Sequence, residues 1–284
     1  MLRHSAKQQM NVEATQTFSQ QTAEYYNQLA EYYDLIYGDH VQASKQLVER
    51  ASQIVLEKGK VPSKVLDVGC GNGWDIAHLG ELGWNCSFYG CDLSLTMLSK
   101  ARQIHDDLGV KSTLWEGDIL YDNFGFGDDD LTAQFDLIIF RGNSLGHLNY
   151  EEYLTAFTNV FKMLKNGGMF LYDFRDGYKL FELNQAVEIL NSQGRDETGY
   201  HLAAYFQDHG SNVRELYHLL AVLVSWNDPT QLPVTRSFPI AAHYVLPELT
   251  EKNVRDAGFA SQEEITDRVG ESLPTLRTFI ACKS

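Results

Sequence analysis

Hydrophobic and polar positions along this chain follow two rhythms that take turns. From residue 65 onward, short apolar runs with β-branched or aromatic members occur at Val65, Leu66 and Val68, at residues 86–92, at 113–119, at 135–140 and at 169–172. Between them, apolar side chains return every three or four positions: Ile76, Leu79 and Leu82, then Leu95, Leu98 and Ala101, then Leu154, Phe157, Val160, Phe161 and Leu164. The runs read as buried strands and the periodic stretches as amphipathic helices. Strands alternating with helices predict an α/β fold, a parallel sheet with helices on both faces.

The flanks read differently. Residues 1–22 are polar, rich in Gln, Thr and Ser, and predict a mobile tail. Tyr25, Tyr26, Leu29, Tyr32, Tyr33, Ile36 and Tyr37 then make an aromatic helical face, which Gly38-Asp39 is expected to end; a second helix carries Leu47, Ala51, Ile54 and Val55. Residues 200–246 hold three strand-like segments with turns at 209–212 and 227–229 and no helix between them, an antiparallel three-stranded cover. A helix over 249–257, stopped by Gly258, and a hairpin of 259–266 with 276–282 close the chain. The domain reading is a tail at 1–22, a core with a tyrosine-rich lid at 23–199, the cover at 200–246, and a closing helix and hairpin at 247–284.

Composition narrows the function. The net charge is −15, and basic residues are scattered, so nucleic acid and anionic membranes are disfavoured partners. No apolar run approaches the ~20 residues of a membrane span. Residues 1–11 lack the apolar core of a secretory signal. Four cysteines (Cys70, Cys86, Cys91, Cys282) show no C-x-x-C spacing and read as reduced thiols of a cytoplasmic protein. The expected partner is a small molecule, and self-association into a homo-oligomer is left open.

The candidate chemistry sits where strands end. Val68 runs into Gly69-Cys70-Gly71-Asn72-Gly73, a turn tight enough to bring backbone close to a ligand, and Trp74 opens the next helix. Asp67 lies inside this pattern. A carboxylate there would repel a pyrophosphate but would favour the α-ammonium of S-adenosylmethionine, which carries a cationic sulfonium and no phosphate. Asp92, 25 residues on and followed by Leu93, closes the second strand where an acid hydrogen-bonds ribose hydroxyls; a helix N-cap is the alternative, though Ser94 can fill it. Asp118 closes the third strand. After the fourth comes a polar loop from Arg141 to His147, placed where ligands meet in open α/β sheets. His147 is a candidate proton acceptor or a structural hydrogen-bonder. The fifth strand ends in Asp173-Phe174-Arg175-Asp176, where Arg175 offers a bidentate clamp for a carboxylate or an ion pair with either acid. Tyrosine faces over the site would suit a sulfonium.

The D-x-G-x-G-x-G turn resembles the first motif of class I methyltransferases. From about residue 22 the chain resembles the glycine/sarcosine N-methyltransferase group within them. The resembling pieces are Tyr32-Tyr33-Asp34-Leu35-Ile36-Tyr37-Gly38-Asp39, Gly142-Asn143-Ser144 with His147, Asp173-Phe174-Arg175, and the cover. The resemblance implies a Rossmann-like seven-stranded sheet and S-adenosylmethionine as cofactor. It implies that Asp118 accepts from the adenine amine and the Ile119 amide bonds a ring nitrogen. It places the acceptor on Asn143 and Arg175, and Tyr33 and Tyr37 over the cofactor. Two departures, Arg141 where a neutral residue is usual and Phe174 where histidine is usual, leave the acceptor open.

The candidate cofactor set is Tyr33, Asp67, Gly69, Gly71, Trp74, Asp92, Leu93, Asp118, Ile119 and Arg141. The candidate catalytic and acceptor set is Asn143, Arg175, His147 and Tyr37, with no metal. The implied activity is methyl transfer to the amine of a small, amino-acid-like molecule. Alternatives are small-molecule O-methylation, cofactor binding without transfer, and an NAD oxidoreductase, which Asp67 disfavours.

Overall fold

The computed structural model describes residues 17–59, 61–127, 130–186, 190–193, 200–208, 216–225, 234–269 and 275–284. Two helices open this region, α1 (Phe18–Leu29) and α2 (Tyr33–Glu57), joined by a 3-10 turn at Ala30–Tyr32. Helix α1 begins at Phe18, inside the stretch expected to be tail. Thr17 starts it with a capping box: its Oγ1 accepts from the Gln20 amide at 3.2 Å, and the Gln20 side chain accepts from the Thr17 amide at 2.9 Å. Residues 1–16 of the expected tail lie outside the described residues. Helix α2 runs through Gly38-Asp39 and does not end there. A glycine inside a helix costs about 1 kcal/mol. Burying Leu47, Val48, Ala51, Ile54 and Val55 on one helical face outweighs that.

The core alternates as expected: β1 (Lys64–Val68), α3 (Trp74–Glu81), β2 (Ser87–Asp92), α4 (Leu95–Asp107), β3 (Ser112–Glu116), β4 (Phe135–Phe140), α5 (Tyr153–Met163) and β5 (Leu164–Arg175). Strands β1 to β5 pair in parallel. Side chains alternate across β1: Val65 joins the layer under α2 and α3, while Leu66 and Val68 join the layer under α5. Leu164 to Gly168 enters β5 through an irregular register with Gly167 at φ +74°, so the Lys165-Asn166-Gly167-Gly168 stop of α5 is also the entrance to the strand.

After β5 come α6 (Gly177–Ala186), β6 (Leu190–Gln193), β7 (Tyr200–Asp208), β8 (Leu216–Ser225), β9 (Val234–His243), α7 (Pro247–Asp256), β10 (Ser261–Glu264), α8 (Thr266–Val269) and β11 (Leu276–Cys282). The main sheet has seven strands in the order β10-β11-β5-β4-β1-β2-β3, with β11 antiparallel to β5 and β10 antiparallel to β11. The closing hairpin is therefore present, with a short helix in its connection. The cover has four antiparallel strands, β6-β7-β8-β9, not three. The added strand, β6, spans only four residues and pairs irregularly with β7, too short to leave a period of its own in the sequence. The expected turns at 209–212 and 227–229 lie outside the described residues.

Strand order reverses between β1 and β4, so the loops at their carboxyl ends diverge and leave a crevice. No described helix is long and apolar enough to cross a membrane.

Candidate active site

The glycine turn after β1 holds three left-handed residues, Gly69 (φ +65°), Gly71 (φ +53°) and Gly73 (φ +82°). They do different work. A Cβ on Gly73 would lie 2.6 Å from His105 Nε2, and that ring bonds the Gly73 carbonyl at 2.8 Å and Ser112 Oγ at 2.7 Å, locking the turn to α4 and β3. A Cβ on Gly71 would meet nothing nearer than Met97 Cε at 4.0 Å. Gly71 therefore faces the side from which a ligand can reach the backbone. Gly69 abuts the loop after β4, where its Cβ would come 3.2 Å from Ser144 Oγ.

Asp92 stitches this turn to the next. Its carboxylate accepts the Gly71 amide and the Ser94 amide, each at 2.8 Å. Ser94, not Asp92, caps α4, its Oγ accepting from the Met97 amide at 3.1 Å; Leu93 sits half-buried between them. Burial raises the Asp92 pKa, while the two amides hold it down. Asp67 is buried, and its pKa is pushed well up, first by burial and then by the charge of Asp75; Arg141 opposes both. Asp118 Oδ1 accepts from the Leu120 amide at 2.9 Å. Asn159 of α5 donates to the Ile119 carbonyl at 3.0 Å.

Arg141, expected at the cofactor, has carboxylates as its partners. Its guanidinium donates from Nη1 to Asp75 Oδ2 at 2.6 Å and from Nε to Asp173 Oδ2 at 3.1 Å, with only 8% of the side chain exposed. Burial raises the Asp173 pKa; Arg141 and the Asn143 amide pull it back. With Asp67 also within electrostatic reach of Arg141, three carboxylates face one guanidinium. A neutral residue here would leave these acids uncompensated, which accounts for the departure at position 141.

The same cluster shapes the acceptor end. Asn143 adopts φ +63°, and its amide donates to Asp173 Oδ1 at 3.0 Å. Its side-chain oxygen accepts from the Arg175 amide at 2.8 Å. The loop after β4 and the end of β5 are thus tied into one unit. The acids beside Arg175 make salt bridges with other arginines: Asp173 with Arg141, and Asp176 with Arg277 at 3.5 Å.

Above this unit the lid meets the cover. Tyr26 Oη of α1 bonds His147 Nε2 at 3.0 Å, with the rings edge to face, and the Tyr26 and Tyr33 rings lie 6.4 Å apart. His243, the last residue of β9, bonds Asn149 Oδ1 at 2.9 Å through its Nε2. Burial, helped by the charge of His243, lowers the His147 pKa to about 4, so this ring is neutral at neutral pH. The Tyr37 side chain lies outside the described residues. Two further polar clasps hold the lid down. Asp34 Oδ1 accepts from Asn72 Nδ2 of the glycine turn at 2.7 Å and from Trp74 Nε1 at 3.2 Å. Asn27 Oδ1 accepts from Ser94 Oγ at 2.7 Å and from the Thr96 amide at 3.2 Å.

Residues 65–168 match the Methyltransferase domain family. Over this segment the chain is similar to methyltransferase domains. The chain is 30% identical over 128 residues to YqeM of Bacillus subtilis (strain 168), which carries a methyltransferase name; the match covers 45% of this chain and 47% of that one. The chain thus spans about half the length of the curated relatives it matches. Its fold is similar to a S-adenosylmethionine-dependent methyltransferase from Clostridium acetobutylicum ATCC 824, with TM-score 0.70 and 20% identity over 91% of this chain and 99% of the other. It is also similar to CalS10 of Micromonospora echinaspora, an amino pentose methyltransferase solved with S-adenosylmethionine bound, with TM-score 0.66 and 17% identity over 89% and 96%.

S-adenosylmethionine is the cofactor of this methyltransferase family. The residues present fit it. Asp67, Asp75 and Asp173 against one guanidinium leave the crevice richer in acids than in cations, which suits a ligand with an ammonium and a sulfonium. Sequence reasoning missed Asn27, Asp34, Asp75, Asn159 and His243. Of these, Asp34 alone sits inside a recognisable piece of sequence; the others act through contacts between segments far apart in the chain.

Proposed function

We propose that this protein transfers the methyl group of S-adenosylmethionine to the amine nitrogen of a small, amino-acid-like molecule. Asp67 takes the cofactor's ammonium, Asp92 its ribose hydroxyls, and Asp118 with the Ile119 amide its adenine. Gly69 and Gly71 give backbone access, Trp74 and Leu93 line the site, and Tyr33 with Tyr37 closes over the sulfonium. Asn143 and Arg175 hold the acceptor, Arg175 by its carboxylate. The bound cofactor supplies a methyl carbon activated by positive sulfur.

What this chain adds is mainly positioning. The observation that carries the reading is the bond from the Arg175 amide to the Asn143 side chain, which makes the two acceptor candidates one rigid unit at the ends of β4 and β5. His147 is neutral at neutral pH and half-buried against Tyr26, so it orients by hydrogen bonding and adds no cation beside the sulfonium. Neutral tyrosine faces serve the same end: a bare anion tight on the sulfonium would stabilise the reactant more than the charge-dispersed transition state.

The test is mass spectrometry of products from S-adenosylmethionine and a pool of glycine, sarcosine, other amino acids, amino sugars, phenols and small carboxylic acids. N-methylated products are expected. O-methylated products alone would replace the reading with O-methylation, and bound cofactor without product would leave a binding protein. Arg175→Ala should raise KM for a carboxylate-bearing acceptor at least tenfold with cofactor affinity nearly intact. Equal loss of both would make Arg175 structural.

A further inference from the structure

We propose that Asn159 is a positioning residue for adenine recognition, setting the direction of the Asp118 carboxylate through the peptide between Ile119 and Leu120. The inference rests on the reading of Asp118 as the adenine acceptor.

The geometry is a short relay. Asn159 projects from α5 and is 5% exposed. Its Nδ2 donates to the Ile119 carbonyl at 3.0 Å and to the Tyr121 carbonyl at 3.4 Å. The Ile119 carbonyl belongs to the same peptide as the Leu120 amide, and that amide donates to Asp118 Oδ1 at 2.9 Å. One peptide plane is therefore gripped at both ends, by Asn159 on one side and by Asp118 on the other. Holding the plane fixes one carboxylate oxygen of Asp118 and so the direction of the other. The Ile119 amide, the second adenine candidate, lies one peptide before the gripped one.

The rest of the loop is close-packed around this relay. The Tyr121 amide donates to the Asp118 carbonyl at 3.0 Å, and the Phe124 amide to the Tyr121 carbonyl at 3.0 Å. Asn123 (φ +54°) and Phe124 (φ +48°) are successive left-handed residues without a glycine's freedom. Trp115 Nε1 holds the Phe124 carbonyl at 3.0 Å, and a Cβ on Gly117 would lie 2.2 Å from that oxygen. Backbone held in a sparsely populated region by surrounding contacts is a mark of a preformed recognition element. Asn159 is the buried tie from this element to α5, beside an exposed Lys162–Asp122 salt bridge at 3.3 Å, and α5 itself is anchored by Phe157 and Val160 in the core.

A buried donor that serves two carbonyls is costly to lose, because the carbonyls keep their desolvation penalty. A groove of about 400 Å³ lined by Leu120, Tyr121, Asn159 and Lys162 runs beside the loop, so a substitution at 159 meets adjustable space.

The experiment is calorimetric binding of S-adenosyl-L-homocysteine and S-inosyl-L-homocysteine. The inosyl compound lacks the exocyclic amine that Asp118 would accept from. The wild-type protein should prefer the adenosyl compound by at least tenfold. In Asn159→Leu, which keeps the shape and removes the donor, adenosyl affinity should fall about tenfold, near 1.4 kcal/mol. Inosyl affinity should change less than threefold, so the preference collapses. Asp118→Asn should produce the same collapse, and adding it to Asn159→Leu should cost little more. Equal weakening of both ligands in Asn159→Leu would overturn the proposal, as would an unchanged preference. If Asn159→Leu does not fold, Asn159→Ser, which leaves room for a bridging water, must show a reduced preference or the proposal fails. A wild type that binds both ligands equally would overturn it through Asp118; a wild type that binds neither would instead overturn the cofactor reading.

Discussion

Replacing Arg141 by methionine isolates the electrostatics of the crevice. The side chain keeps much of its length, but the guanidinium that pairs with Asp75 and Asp173 and lies within reach of Asp67 is gone. Removing one partner of a buried ion pair costs about 3–5 kcal/mol. At about 2–4 °C per kcal/mol for a chain of this size, Tm should fall by roughly 6–20 °C at neutral pH. The loss should depend on pH, with a definite sign. Asp67 and Asp173 already have folded-state pKa values above their unfolded ones, through burial. Without the cation those values rise further. A raised carboxyl costs stability above its folded pKa and none below its unfolded pKa. The deficit of the variant should therefore be greatest at pH 7–8 and shrink steadily toward about pH 4, where the acids bind protons in both states. Urea unfolding of wild type and variant across this range measures it directly. Arg141→Lys should lie between the two, since one ammonium restores charge but cannot span both acids as the guanidinium fork does. A pH-independent deficit, or one below about 1 kcal/mol, would show that the cluster is not the electrostatic centre described.

Two further outcomes follow from the same crevice. Cofactor binding should release protons and weaken as pH falls from neutrality, because Asp67 has a raised pKa and an ammonium pairs only with the ionised acid; calorimetry in buffers of different ionisation enthalpy detects this, and proton uptake would contradict it. Asp34→Ala removes the clasp from the lid to Asn72 and Trp74, so it should speed cofactor dissociation severalfold while leaving Tm within a few degrees; stopped-flow fluorescence of Trp74 reads it, and an unchanged off-rate would detach Asp34 from lid closure.

Much of the architecture was legible because it is written in local periods. The strand at β1, the glycine turn and the helix after it are adjacent in sequence; Asp67 and Asp92 lie at the ends of β1 and β2 as their apolar runs announce, whereas β3 ends at Glu116 and Asp118, expected to close it, falls in the turn beyond. Reading failed where a local signal competed with packing. Gly38-Asp39 looks like a helix end, yet α2 continues because residues further along bury one face. Thr17 and Gln20 form a capping box inside a polar stretch that otherwise reads as tail. The fourth strand of the cover, β6, is too short to show a period.

What the sequence alone determined is therefore the order of elements and the identity of the strand-end acids, since both depend on neighbours in the chain. Only the tertiary structure decided what those side chains touch. Arg141 reads as a surplus cation near a mouth, but the fold brings Asp75 and Asp173 to it from 66 and 32 residues away. Asn159 reads as one polar residue on an apolar helix, but it holds the turn after β3, about 40 residues earlier in the chain. Hydrogen bonds and ion pairs form across space, and no period or spacing in a single sequence records which distant partner closes the distance.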